Sequence, residues 1–467
     1  MEILKFGGSS VSSKVSLENM LQIVRGYNLE GEPLIIVVSA LKGVTNHLVN
    51  LAEALKKKDK SYNKTINIIS EKHQEFIHTI FDEVPLKLKK GLKKQEENLR
   101  ETASTLIKKE ILGSKDYDII VSFGELFSAQ IIAAFLNKNG LDFSFKDARE
   151  LIITDTSFSN AKIDWDLTTS VVTSFFARNK SSYVVTGFIA RSIYGDTTTL
   201  GRGGSDYTAT ILAAVLKAKK VTKWTDVYGI MTADPNKVIE ACSLENITFS
   251  ELKNMSKFGS NVLVHPESID ELSKHNIPFL IRNTFDCNFK GTQVINKEDD
   301  CSQKALSAHQ SCSIVSFNKG LDLPRIMIKE IIDKNYLFFR IKTFKKDDRS
   351  YYIVANDCIT FFKENFSASI PETSDNFSNF KSAEVIDDNI VLITVTNQKM
   401  NKKEQLEKIK KILNTDGIKI LGYRLFFNSI SFILDKKDFK KALIMLHGEV
   451  TNDKVLSVEE LVEEAGL

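Results

Sequence analysis

The stretch Gly195-Asp196-Thr197-Thr198-Thr199-Leu200-Gly201-Arg202-Gly203-Gly204-Ser205-Asp206 concentrates the groups that bind phosphate and carboxylate. Glycines let backbone N–H groups approach an anion closely, and Ser205 or Asp206 can cap the helical pattern over 207–218. The start of such a helix carries a partial positive charge directed at the same anion. Arg202 adds a planar fork that matches a carboxylate or a phosphate. A Gly-rich surface turn before a helix is the plain alternative, and the density of donors argues against it.

A second group of this kind stands at the N-terminus. Glu2-Ile3-Leu4-Lys5-Phe6 reads as a short strand, followed at once by Gly7-Gly8-Ser9-Ser10. Such a junction places an ammonium and several free N–H groups at the carboxyl edge of a sheet, where open α/β sheets bind ligands. Taken alone, Lys-x-Gly-Gly has neither Walker A nor Rossmann spacing. Its weight comes from the pairing with the 195–206 loop.

Elements must hold these loops, and the first two-thirds of the chain alternates between strands and helices. Pro33–Val38, Tyr117–Val121, Ser182–Thr186 and Lys220–Trp224 read as strands, each followed by a polar or glycine-bearing segment. The expected fold is α/β with a doubly wound, mainly parallel sheet. Residues 52–109 form a charged, helix-rich excursion without a motif. Beyond residue 300, strands at 313–317, 336–341 and 351–354 with a helix at 326–334 suggest one βαββ unit. Strand 390–396, helix 403–413, strands 418–427 and 429–434 and helix 437–447 suggest a second, in ferredoxin-like order.

Five segments in order resemble the aspartate kinases of the amino acid kinase family. They are Lys5-Phe6-Gly7-Gly8-Ser9-Ser10-Val11, Ser122-Phe123-Gly124-Glu125, Thr197 to Asp206, Trp224-Thr225-Asp226-Val227 with Thr232-Ala233-Asp234-Pro235, and Phe258-Gly259 through His265-Pro266. The resemblance covers residues 2–295 and fades towards the C-terminus. It implies a catalytic domain over 1–300 and two regulatory ACT-like units over 301–385 and 386–467. It also implies transfer of the γ-phosphoryl group of ATP to L-aspartate, a homodimer or higher homo-oligomer through the ACT units, and an amino-acid effector such as lysine or threonine.

A side-chain carboxylate with a pKa near about 4 is already ionised at neutral pH, so this reaction needs no base to form its nucleophile. What remains is positioning and charge neutralisation. By the resemblance, Lys5 and Asp206 are the catalytic pair. Thr45, Glu125, Phe188, Arg202 and Ser205 line the aspartate pocket, with Glu125 facing the α-amino group and Arg202 the α-carboxylate. Lys5, Gly7, Gly8, Ser9, Gly203, Gly204, Thr225, Asp226, Met231, Asn236 and Asn261 fall on the nucleotide side, and Mg²⁺ arrives with the ATP phosphates rather than on dedicated protein ligands. Three positions depart from the family pattern. Met231 stands where tyrosine is common, Asn236 where arginine is, and Asn261 where lysine is, in a segment one residue longer. These departures predict weakened or altered nucleotide affinity, and they motivate the alternative of a non-catalytic, amino-acid-binding regulatory paralogue.

Composition is that of an ordinary globular chain: 467 residues, 42% hydrophobic, with a net charge of +3 that is too small to imply nucleic acid or an anionic membrane. The five cysteines form no C-x-x-C pair, which predicts neither a disulfide framework nor zinc and points to a reducing compartment. With a strand starting near residue 2 and no apolar run of spanning length, a cytoplasmic location is expected. His73, His78 and His447 are expected on the surface.

Overall fold

The computed structural model describes residues 1–28, 32–259, 264–296, 304–318, 331, 337–341, 349–360, 384–397 and 401–451. It divides into two compact units, one formed by 1–229 with 267–293 and the other by 230–266 with 294–467.

In the first unit, parallel strands run in the order β3 (Phe143–Lys146), β5 (Ser182–Thr186), β2 (Leu34–Val38), β1 (Glu2–Phe6), β8 (Val221–Thr225) and β10 (Phe279–Asn283). The central strand β2, Leu-Ile-Ile-Val-Val, is buried at every position, as a strand covered on both faces must be. A small second sheet carries β4 (Ile153–Thr154), β6 (Ile189–Ser192) and β7 (Thr197–Thr199), with β6 and β7 forming an antiparallel hairpin. The helices are α1 (Lys14–Asn28), α2 (Val44–Lys56), α3 (Tyr62–Ile80), α4 (Leu86–Leu106), α5 (Ser114–Lys138), α6 (Trp165–Arg178), α7 (Gly204–Leu216) and α9 (Pro266–Lys274).

The segment 117–121 is a correction to the expected strand: it is the second turn of α5. Ile120 and Val121 are buried and Ile119 is partly so, because α5 packs against α2, α4, β3, β5 and β7, and a helix buried on most sides carries the same short apolar run as a core strand. Its start is marked by Asp116, whose Oδ2 accepts the Gly113 N–H at 3.1 Å. An 18-residue window of α5 is apolar enough to cross a membrane, but 83% of that window is buried inside the protein, as befits a core helix.

The second unit contains β9 (Asn246–Thr248), α8 (Phe249–Phe258), β12 (Ala305–Asn318), β13 (Phe338–Ile341), β14 (Arg349–Ala355), β15 (Glu384–Thr396), α10 (Lys402–Thr415), β16 (Ile420–Leu425), β17 (Ser429–Asp435) and α11 (Phe439–Thr451), with β11 (Thr292–Ile295) at its border. Strands β13-β14-β12-β15-β17-β16 form one antiparallel sheet. The two expected α+β units thus share a single sheet, because the long strands β12 and β15 pair along most of their length. The β-α-β-β-α order of the second half holds, whereas the helix expected at 326–334 falls almost entirely outside the described residues. The core of this unit gathers Val391, Ile393, Ile409, Phe432 and Leu446 with Val238 and Ala241.

Two of the three histidines expected on the surface are buried. His73 places Nδ1 2.7 Å from the Ile69 carbonyl and its ring 4.5 Å from that of Phe127, and burial lowers its pKa to about 4. His447 meets the Thr232 hydroxyl through Nε2 at 2.9 Å. Both lie on the apolar stripes of their helices, α3 and α11. His78 is exposed, as expected.

Candidate active site

The polar residues of the first unit converge at the carboxyl ends of β1, β2, β5 and β8. Lys5 and Lys223 are register partners on the adjacent parallel strands β1 and β8, so their side chains leave the same face of the sheet. Asp206, in the first turn of α7, receives both. Its Oδ1 lies 2.7 Å from Lys5 Nζ and its Oδ2 lies 2.7 Å from Lys223 Nζ. Burial opposes ionisation of Asp206, but the charges of Lys223 and Lys5 overcome it and hold the carboxyl at about 2. Burial lowers the pKa of Lys223, while Asp206 works in the opposite direction. Two lysine amino groups thus meet one buried carboxylate at the sheet edge, beside the glycine loop. Lys5 Nζ lies 3.9 Å from where a side chain on Gly7 would begin.

Sequence reasoning missed Lys223. It sits inside an apolar strand pattern, one residue before the Trp224-Thr225-Asp226 motif, and only its register against Lys5 reveals it.

Glu125 occupies the middle of α5 rather than a loop after a strand. Its Oε1 accepts the Ala40 N–H at 3.2 Å, and its buried Oε2 accepts nothing from the described residues. Burial pushes its pKa up to about 8, with the Ala40 N–H and the Lys5 charge pulling the other way. Gly124 lets the β2 loop sit this close, since a methyl there would stand 2.7 Å from the Ala40 Cβ. A buried carboxyl with a vacant acceptor oxygen suits a cationic donor such as an ammonium group.

The other candidates of the first unit sit on its turns and helix starts. Thr45 lies in the first turn of α2 behind Gly43, which adopts φ +84°. Phe188 adopts a left-handed φ of +68°, held by its N–H to the Thr208 hydroxyl at 2.9 Å and by its carbonyl accepting the Leu200 N–H at 2.9 Å. Ser205 packs so tightly on Gly187 that a methyl there would stand 2.5 Å from the Ser205 Cβ. Arg202 is exposed, Gly203 caps α7, and Gly204 opens that helix. The Gly7 N–H is taken by the Trp224 carbonyl at 3.2 Å, so the donors left for an anion are those of Gly8 and Ser9, which open the 3₁₀ turn Gly8–Val11. Thr225 ends β8, its hydroxyl donating to Asp226 Oδ1 at 3.3 Å.

The other three nucleotide-side candidates lie in the second unit's part of the chain. Met231 packs against that unit's apolar core. Asn236 is exposed and hydrogen-bonds Asp234. Asn261 lies outside the described residues.

A parallel sheet carrying glycine turns and a two-lysine, one-aspartate cluster at its carboxyl edge is suited to binding an anionic ligand such as a phosphate. The chain belongs to the amino acid kinase family, whose model matches residues 1–283. Among its relatives, the aspartokinase of Chlamydia pneumoniae is 31% identical over 322 residues, covering 67% of this chain and 68% of that one. The chloroplastic bifunctional aspartokinase/homoserine dehydrogenase of Daucus carota is 35% identical over 298 residues, 62% of this chain and 32% of its own length. The chain therefore matches about a third of such bifunctional relatives. The structure of E. coli aspartokinase III with aspartate and ADP superposes with a TM-score of 0.79 at 23% identity, covering 97% of this chain and 100% of that one. Clostridium acetobutylicum aspartate kinase gives 0.68 at 20%, covering 96% and 100%. These likenesses establish the fold: an amino acid kinase domain followed by an antiparallel, ACT-like region.

Proposed function

We propose that this protein is an aspartate kinase, converting ATP and L-aspartate to ADP and 4-phospho-L-aspartate. The observation that carries the reading is the Glu125 carboxyl, buried with Oε2 open, on the same sheet edge as the Lys5–Asp206–Lys223 cluster. In this reading Glu125 receives the substrate ammonium and Arg202 swings onto the α-carboxylate, with Thr45, Phe188 and Ser205 around them. The β-carboxylate, ionised without help, attacks the γ-phosphorus. An O–P bond forms to aspartate as the bond to the ADP oxygen breaks. Lys5 and Lys223 neutralise the charge on the transferring group, and Asp206 fixes both ammonium groups.

The N–H groups of Gly8, Ser9 and Gly203 serve the phosphates, that of Gly204 being taken by the Gly201 carbonyl at 3.0 Å so that Gly204 contributes only close approach, and Thr225 and Asp226 serve the rest of the nucleotide. Among the described residues no group of three or more His, Cys, Asp or Glu side chains is arranged to hold a metal ion. Mg²⁺ in this reading travels on the ATP phosphates, where it screens their charge.

E. coli aspartokinase III has also been solved with lysine and aspartate in a T-state, with a TM-score of 0.74 to this chain. We assign residues 301–385 and 386–467 a regulatory role of that kind, with an amino-acid effector such as lysine or threonine and self-association through the antiparallel sheet. A cytoplasmic site of action accords with this metabolism. The test is ATP- and aspartate-dependent formation of acyl phosphate, trapped with hydroxylamine, beside Lys5→Ala. Hydroxamate lost in that variant supports the kinase. Retained aspartate binding without any hydroxamate from the wild type favours the regulatory paralogue.

A further inference from the structure

Asp118 has no place in the chemistry described above, yet its side chain is fully buried. Its Oδ2 accepts the backbone N–H groups of Ser159 at 2.8 Å and Thr199 at 2.9 Å, and its Oδ1 accepts the Ser159 hydroxyl at 3.2 Å and the Thr199 hydroxyl at 2.9 Å. A buried carboxylate is costly unless its acceptor positions are used, and here both oxygens are filled from two segments far apart in sequence. Ser159 is held in a left-handed conformation, φ +69°, and Thr199 ends β7, three residues before Arg202. The two segments also bond each other, the Ala161 N–H donating to the Thr199 carbonyl at 2.9 Å.

Asp118 and Glu125 are seven residues apart on α5, hence on one face and about 10 Å apart along the axis. Beyond Glu125 the same helix donates the Ser128 hydroxyl to the Ser39 carbonyl at 2.8 Å. The helix thus grips the Ser39-Ala40 loop at one point and the base of the Arg202 loop at another.

We propose that Asp118 is a positioning residue for the amino-acid half of the site. It sets the Arg202 loop at a fixed distance from Glu125, so that the two ends of an α-amino acid, ammonium and α-carboxylate, are met together. This role rests on the aspartate kinase reading. It acts mainly on the aspartate side, since the tether holds the loop of Arg202 and leaves the glycine turn after β1 untouched, while Gly203 and Gly204 follow Arg202 into the start of α7 and are fixed there by the helix.

The test measures KM for aspartate, KM for ATP, kcat and the melting temperature of the full-length protein by the hydroxamate assay and thermal unfolding. Asp118→Ala raises KM for aspartate about 10- to 100-fold, as a displacement of about 1 Å does to a positioned contact, with KM for ATP rising far less because the glycine turn after β1 keeps its place. Asp118→Asn recovers most of that loss, because its carbonyl can accept the two N–H groups while its NH₂ donates to the two hydroxyls. Thr199→Val, which removes one hydroxyl and keeps the N–H, shifts KM for aspartate in the same direction by less. It carries the test should Asp118→Ala fail to fold. The proposal is overturned if the two KM values rise together, if Asp118→Asn is as impaired as Asp118→Ala, or if Thr199→Val leaves KM for aspartate unmoved. Absence of wild-type turnover overturns the kinase assignment itself, whereas wild-type turnover with an unsplit Asp118→Ala overturns only the role of Asp118.

Discussion

On the proposed function, Glu125 would make the binding of aspartate a function of pH. Its carboxyl ordinarily titrates near 4.5, and burial raises it to about 8. One pH unit below its pKa the neutral acid outnumbers the carboxylate about tenfold, equivalent to about 1.4 kcal/mol. In that proposal the carboxylate form is the one that holds the substrate ammonium. At pH 7 most free enzyme must therefore lose a proton before it can bind, and at pH 6 the penalty is about 100-fold. The pH dependence of kcat/KM reports such free-enzyme groups. With ATP saturating, kcat/KM for aspartate should rise about tenfold from pH 6 to 7 and level off above pH 8. Glu125→Gln cannot ionise, so its kcat/KM should be flat with pH. It should lie below the wild-type plateau by about 2–3 kcal/mol, the worth of a hydrogen bond to a charged partner. The assay is initial-rate hydroxamate formation over an aspartate series from pH 6 to 9 at constant ionic strength. A wild-type kcat/KM that does not change between pH 6 and 8, or a Glu125→Gln enzyme with the wild-type slope, would refute the assignment. Stability carries the same signature. The folded protein keeps a proton that the unfolded chain releases above about 4.5, so this group makes the fold less stable as pH rises towards 8. Glu125→Gln should lift the melting temperature at pH 8 and hardly alter it at pH 4.

Three further perturbations follow from the geometry. Lys223→Met leaves Asp206 with one ammonium and should lower kcat about 10²-fold, within the range for deleting one preorganised donor; wild-type kcat in that variant would remove Lys223 from the chemistry. The fall of the Asp206 carboxyl from 3.8 to about 2 gives about 2 kcal/mol of stability that is present above pH 4 and lost as pH falls through 2. Because Lys223 supplies the larger share of that charge, urea melts of Lys223→Met should lose less stability than the wild type as pH falls from 4 to 2. Gly187→Ala forces a methyl onto Ser205 and should cost about 1–3 kcal/mol in denaturant melts while raising KM for aspartate. His73, held neutral by burial down to about pH 4, should make the wild type lose about 3 kcal/mol as pH falls from 6.5 to 4, since the unfolded chain takes up the proton first. His73→Leu should flatten that slope in equilibrium unfolding.

Much of the catalytic unit could be read directly from residue order. The buried strands Leu34–Val38 and Ser182–Thr186 are short β-branched runs ending in turn residues, and both form where that pattern places them. Lys5 with Gly7-Gly8 and the 195–206 loop also declare themselves, because tight turns and anion cradles need particular residue types at particular steps along one chain. Tertiary structure alone decided the rest. Residues 117–121 became helix because an apolar run fully surrounded by neighbours has no period to distinguish the two states. Lys223 acquired a role only when β8 paired with β1 in the register that sets it beside Lys5, and Asp118 only when α5 met two loops from distant parts of the chain. His73 and the open oxygen of Glu125 likewise depend on what packs around them. Strand period and turn chemistry are local properties that sequence displays. Pairing register, burial and the charge on a buried group are sums over neighbours that the sequence keeps far apart, and only the folded chain performs those sums.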